Sequence, residues 1–228
     1  IYGGFKKQRT TAPAPTTASG VKAMVRRTML NTLETKNRSI TGTEVATVAD
    51  SGPIFIPMPI IPNGDTQGQR TGNKIILTGI SVNAVHHNNS TTNLNATILV
   101  RELLLKFDAN QYDTTAELES QLFEGSPDTG NASTNLAFVR TINREGIQVL
   151  MDRKRFVNPG ASAGSTSVLV TSINKKLNQT LTYPNVAGGS QPTNYRYIYV
   201  WIPNLANNDV DVLTLETTYE MRVFYKDV

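Results

Sequence analysis

Apolar and polar residues alternate from Leu213 to Val228, LTLETTYEMRVFYKDV. Every second residue from Leu213 reads Leu, Leu, Thr, Tyr, Met, Val, Tyr, and the positions between read Thr, Glu, Thr, Glu, Arg, Phe, Lys. A period of two predicts a strand with one buried and one wet face. β-Branched and aromatic residues fill the stretch, and no apolar stripe appears at helical spacing. At about 3.3 Å per residue the strand would span roughly 50 Å. A strand that long needs neighbours on both sides, so the rest of the chain must supply other strands.

The pattern supplies them. Glu34 to Val48 alternates weakly and reads as a first strand. Asp50 to Arg70 is apolar but carries Pro53, Pro57, Pro59 and Pro62, which remove ladder donors. It therefore reads as an edge or a surface loop, with a turn at Asn63–Gly64. Asn73 to His87 reads as a strand bent at Gly79. Ala96 to Phe107, ATILVRELLLKF, has a helix-like apolar density. It reads as a strand paired with the preceding one across a short polar hairpin. Thr114 to Glu124 is the helix candidate: Thr114 and Glu117 have capping-box spacing, and Leu118, Leu122 and Phe123 share a face. Ala137–Ile142, Gly146–Val157, Val168–Leu177, a short Thr180–Tyr183 and Tyr195–Ile202 complete the set of strands. Val21 to Leu33 reads as a short amphipathic helix or an extended arm. No βαβ rhythm and no internal repeat appear, so the strands belong in two packed antiparallel sheets.

Charge adds a division. Residues 1–38 hold eight basic groups and one acid, Glu34, for a net +7; the chain total of +4 leaves residues 39–228 at −3. A basic arm on a mildly acidic body points to a polyanion partner, although a solvated tail has the same composition. Residues 1–20 are rich in Gly, Pro, Ser and Thr and cannot bury a core. The chain thus divides into a flexible basic arm, 1–33, and a body, 34–228. No cysteine is present, which excludes disulfides, thiolate metal sites and a cysteine nucleophile. No apolar run approaches the roughly 20 residues that cross a bilayer as a helix, so no membrane insertion is expected. Nothing at the start reads as a signal peptide, and Ile1 in place of Met leads us to expect an upstream segment.

Catalytic signals are sparse. The chain holds two histidines, His86 and His87. As strand neighbours they face opposite sides and cannot easily chelate one ion. Asp209 and Asp211 could share a face and bind calcium, but a turn rich in Asn and Asp reads better. No P-loop, G-x-S-x-G or H-E-x-x-H occurs. Six N-x-S/T sequons, at Asn37, Asn88, Asn89, Asn95, Asn131 and Asn178, follow from an Asn/Ser/Thr-rich composition. The expectation is no enzyme, no metal and no cofactor.

Several pieces then fall in a familiar order: a basic arm, Arg70-Thr-Gly72 before KIILTGISV, ILVRELLLKFD, VLMDRKRFV, SINKKLNQTLTY, YIYVWI and a terminal MRVFYKDV. In this order residues 34–228 resemble the single jelly-roll capsid proteins of small circular single-stranded DNA viruses. They are also similar in layout to the coat proteins of small plant satellite RNA viruses. The resemblance implies an all-β fold, an eight-stranded antiparallel jelly-roll sandwich with one short helix in a long loop. It also implies a shell domain that self-assembles into an icosahedron of roughly sixty copies (T=1) in the smallest case. The arm is less basic than the dense arginine-rich arms usual in such proteins.

On this reading the partners are further copies of the chain and single-stranded nucleic acid, with circular DNA favoured. The place is the virion, with assembly in the host nucleus if the genome is DNA. The sequence names no host receptor. Lys6, Lys7, Arg9, Lys22, Arg26 and Arg27 of the arm would neutralise phosphates without reading sequence. Arg153, Lys154 and Arg155 form a second basic set, with Arg153 and Arg155 on one face of a strand and Lys154 on the other. Two rivals stand beside this reading. One is a cellular jelly-roll binding module of lectin or cytokine type. The other is a glycan-active enzyme, which needs two carboxylates converging in a groove.

Overall fold

The computed structural model describes residues 17–47, 52–89, 97–112, 115–124, 140–158, 167–185, 189–204 and 214–228. The chain divides into two compact units, residues 1–34 and 35–228. In the first unit, Ala18–Thr32 forms helix α1. Thr17 caps it, its Oγ1 accepting from the Gly20 amide at 3.2 Å. This part of the arm is therefore helical rather than extended.

The second unit holds ten strands and one helix among the described residues: β1 Lys36–Thr47, β2 Ile54–Pro57, β3 Ile61–Pro62, β4 Lys74–Asn88, β5 Ile98–Asp108, helix α2 Thr115–Gln121, β6 Ile147–Val157, β7 Ser167–Thr182, β8 Gly189–Ser190, β9 Tyr195–Asn204 and β10 Thr214–Asp227. Two four-stranded antiparallel sheets run β1-β10-β4-β7 and β2-β9-β5-β6, and β3 and β8 form a small ribbon. With the ribbon set aside, the eight remaining strands in chain order are first, eighth, third, sixth in one sheet and second, seventh, fourth, fifth in the other. That is the jelly-roll order.

The C-terminal strand sits where its length requires, between β1 and β4. Its alternation is literal: Leu215, Thr217, Tyr219, Met221, Val223 and Tyr225 are buried, and the residues between are not. Gly79 lies where β4 changes register, with shifts against β7 at Leu77/Gly79 and against β10 at Phe224/Tyr225. The proline-rich segment contributes β2, a four-residue edge strand that ends at Pro57.

Three expectations need correction. β5 does not pair with β4. It pairs with β6 and β9 in the other sheet, so the connection between β4 and β5 crosses from sheet to sheet. The segments 168–177 and 180–183 are one continuous strand, β7. Helix is present at α1 as well as α2. Of the expected strand at 137–142, residues 137–139 lie outside the described residues, and Ile142 forms an isolated bridge with Phe123.

Two apolar clusters hold the body together. Between the sheets, Ile80, Val82 and Ala84 of β4 and Met221 and Val223 of β10 meet Val100 and Leu104 of β5 and Tyr197, Tyr199 and Trp201 of β9. Outside the second sheet, Leu103, Leu105 and Phe107 of β5 and Ile198, Val200 and Ile202 of β9 meet Leu118 of α2 with Leu122 and Phe123 just after it. β5 and β9 are thus covered on both faces. A strand buried on both faces loses its alternation, which is why ILVRELLLKF carries a helix-like density.

Candidate nucleic-acid interface

The predicted basic residues belong to both units. Lys6, Lys7 and Arg9 lie outside the described residues. Lys22 is exposed on α1, and Arg26 lies one helical turn later, followed by Arg27. The helix sequence ASGVKAMVRRTMLNT contains no acid. Val21, Met24 and Val25 are exposed on it, so α1 is basic and amphipathic.

On β6, Arg153 stands opposite Glu102, Lys154 opposite Arg101 and Arg155 opposite Val100 of β5. Arg153 and Arg155 therefore share the face turned toward the other sheet, with Lys154 on the outer face. Arg153 and Lys154 are exposed, while Arg155 is half-buried. The Arg155 Nη1 donates to the Val170 carbonyl at 3.1 Å and to Thr171 Oγ1 at 3.4 Å. It ties the edge of one sheet to the edge of the other. The neighbouring Asp152 receives both Nε (3.0 Å) and Nη2 (2.7 Å) of the buried Arg101.

Between the sheets lies a buried polar cluster that the sequence reading missed. His86 of β4 and Glu102 of β5 are both wholly buried, with His86 Nε2 and Glu102 Oε1 3.2 Å apart. The other ring nitrogen, Nδ1, meets Thr217 Oγ1 of β10 at 2.7 Å. The Tyr199 hydroxyl of β9 donates to Glu102 Oε1 at 2.6 Å, and the His86 ring stands edge-on to Trp201. Burial pushes the Glu102 carboxyl up. Hydrogen bonds from His86, Tyr199 and Thr171, with the His86 charge, outweigh that, and it sits below the usual carboxylate value. The cluster joins strands of both sheets and is closed to solvent, so it serves the fold rather than an exchangeable ligand. Two signals were present in the sequence: a carboxylate inside an apolar run, and His86 in phase with the inward positions Ile80, Val82 and Ala84. His87 faces away, as its neighbour position requires.

Arg70, of the Arg-Thr-Gly sequence before β4, is also structural. It is wholly buried, lies over the Tyr183 ring at 4.5 Å, and donates through Nη1 to the Gly72 carbonyl. Gly72 has φ +101°, which favours glycine.

One cleft of about 230 Å³ is lined by Lys106, Phe107, Asp108, Arg144, Gly146, Ile147, Gln148 and Tyr195. Lys106 Nζ donates to Gln179 Oε1 at 2.9 Å and lies 3.9 Å from the Tyr195 ring centroid. Burial lowers its pKa, against the opposing charge of Asp108. The lining holds a single carboxylate, so this cleft lacks the pair that glycoside hydrolysis uses. Among the described residues no group of three or more His, Cys, Asp or Glu could hold a metal ion. Among them, too, no helix is long and apolar enough to cross a membrane. Asp209 and Asp211 lie outside them.

No protein-family model and no curated protein matches the sequence. Among solved structures, the chain is similar to a chain of the infectious bursal disease virus Gx strain at 8% identity and TM-score 0.32, over 85% of this chain and 32% of that one. It is similar to VP2 of an infectious bursal disease virus subviral particle at 10% identity and TM-score 0.27, over 86% of this chain and 37% of that one. A chain of Mud crab tombus-like virus aligns at 10% identity and TM-score 0.27, over 100% of this chain and 94% of that one. The chain thus spans about a third of the length of the first two.

Proposed function

We propose that the chain is a viral coat protein whose jelly-roll body assembles into an icosahedral shell and whose basic arm holds single-stranded nucleic acid inside it. One observation carries the reading. A separate N-terminal unit, within a stretch of net +7, is joined to a jelly-roll body whose sequence from residue 39 is net −3. The body supplies a rigid tile with both sheets filled and no catalytic constellation among its described residues. The arm supplies counter-charge for phosphates through Lys6, Lys7, Arg9, Lys22, Arg26 and Arg27. On β6, Arg153 and Lys154 offer exposed charge, while Arg155 is engaged with β7. Circular single-stranded DNA is the favoured cargo, the virion the location and, for a DNA genome, the host nucleus the place of assembly.

The test compares the full chain with residues 34–228 alone. Both are expressed, fractionated by size, and the nucleic acid in the heaviest fraction is measured by the ratio of absorbance at 260 and 280 nm. DNase and RNase then identify the contents. The full chain should carry nuclease-sensitive nucleic acid, and the truncated chain should fold and carry far less. Equal loading of the two proteins would refute the arm's role, and loading with RNA alone would refute the choice of DNA.

A further inference from the structure

We propose that the outer face of the sheet β1-β10-β4-β7 carries a second contact site for single-stranded nucleic acid. Lys74, Lys176, Arg222 and Lys226 would meet its phosphates, and the Phe224 ring would meet a base. The ligand class rests on the coat-protein reading above; these residues are additional to those named there.

The register sets which side chains share this face. On β10, Leu215, Tyr219, Met221, Val223 and Tyr225 lie in the core between the sheets. Glu216, Thr218, Glu220, Arg222, Phe224 and Lys226 therefore point outward. Rows across the sheet follow from the pairing. Lys226 stands opposite Ile76 of β4, and Ile76 opposite Thr180 of β7; Lys74 is the neighbouring outward residue of β4. One row on, Asn37 of β1, Phe224, Gly79 and Lys176 of β7 are in line. The row after that runs Ser39, Arg222, Ser81 and Asn174.

These three rows hold four cations and no acid. Acids begin in the next row with Glu220, which accepts from Arg222 Nη2 at 2.5 Å, and Glu216 follows two rows beyond. Asp227, opposite the core residue Ile75, is turned the other way and pairs with Lys36 at 2.8 Å. One end of this face is thus basic on a body whose sequence from residue 39 is net −3. It is also open. Lys74 and Lys176 are exposed, the Arg222 side chain is 42% exposed, and Phe224 and Lys226 are half-buried. On the other sheet, the outer face of β5 and β9 is covered by the α2 layer.

Cations alone suit any polyanion, and Phe224 narrows the choice. Its ring passes 3.7 Å from where a Cβ on Gly79 would stand. Gly79 has no side chain, so bare backbone lies between the ring and Lys176 in that row. An aromatic ring flanked by cations on an open strand face can stack a base while the phosphates are neutralised. A sulfated glycan has no base to stack.

The test titrates labelled oligothymidylate with the full chain and three variants, K74Q/K176Q/R222Q, F224L and F224Y. Binding is read by fluorescence anisotropy over a salt series, and melting of each protein checks the fold. The triple variant should reduce the slope of log K against log salt by about 2, since each single-strand phosphate contact contributes about 0.7. F224L should weaken binding on the order of tenfold with the slope unchanged, and F224Y should bind as the wild type does. If F224L unfolds, the triple variant carries the test, because its three side chains all point outward. A wild-type slope in the triple variant would overturn the site and leave the role of the arm standing. Wild-type binding by a folded F224L would overturn the base contact. Loss of heparin binding in the triple variant, with oligothymidylate binding unchanged, would overturn the site too and assign this face to a sulfated glycan. A wild-type chain that binds no oligothymidylate at any salt would overturn both this site and the arm's role.

Discussion

At the scale of residues, the chemistry of this body is spent on holding two sheets together. Glu102 is the clearest case. Its carboxylate sits between the sheets, accepts from Tyr199 and meets His86. Its folded value is below the reference of 4.5. A depressed carboxyl contributes stability above the unfolded value and loses it as pH falls through the folded value. Wild-type stability should therefore drop below about pH 4.5 by an amount that the E102Q variant lacks, as measured by chemical unfolding across pH. Equal acid slopes in the two proteins would remove the ionised Glu102 from the account. At neutral pH, Y199F should lose about 1–3 kcal/mol, because the buried carboxylate loses its shortest donor. The pairing was invisible in the sequence for a physical reason. Periodicity reports which face a residue occupies, but it does not report which strand of another sheet lies opposite. The same limit hid the role of Arg155, whose partners sit on β7.

At the scale of elements, alternation was a good guide for most strands with one wet face, although it divided β7 in two. β10, β4 and β6 were legible almost to the residue. It failed where both faces are covered. β5 was recognised as a strand by its context, but its partner was misread, because a short polar connection looks the same whether it turns within a sheet or crosses between sheets. Helix α2 was legible from Leu118, Leu122 and Phe123, and the structure shows what they cover: the outer face of β5 and β9. L122A should therefore destabilise the body by about 2–4 kcal/mol, as a buried leucine leaving a cavity does. A change under about 0.5 kcal/mol in equilibrium unfolding, the size of an ordinary surface substitution, would mean that this layer does not pack on the sheet.

At the scale of the whole molecule, the jelly-roll order follows from strand pairing alone, while the division of charge follows from the sequence alone. The candidate nucleic-acid residues were legible only as charge. The structure separates them into an exposed lysine on α1, an exposed pair on β6 and one arginine that bridges the sheets. Whether the tile closes into a shell is the central claim, and electron microscopy of the largest size fraction of the full chain tests it most directly. Uniform closed particles of about sixty copies are the predicted result. A monomer or small oligomer at every salt and protein concentration would contradict it, and would turn the same sandwich into a binding module.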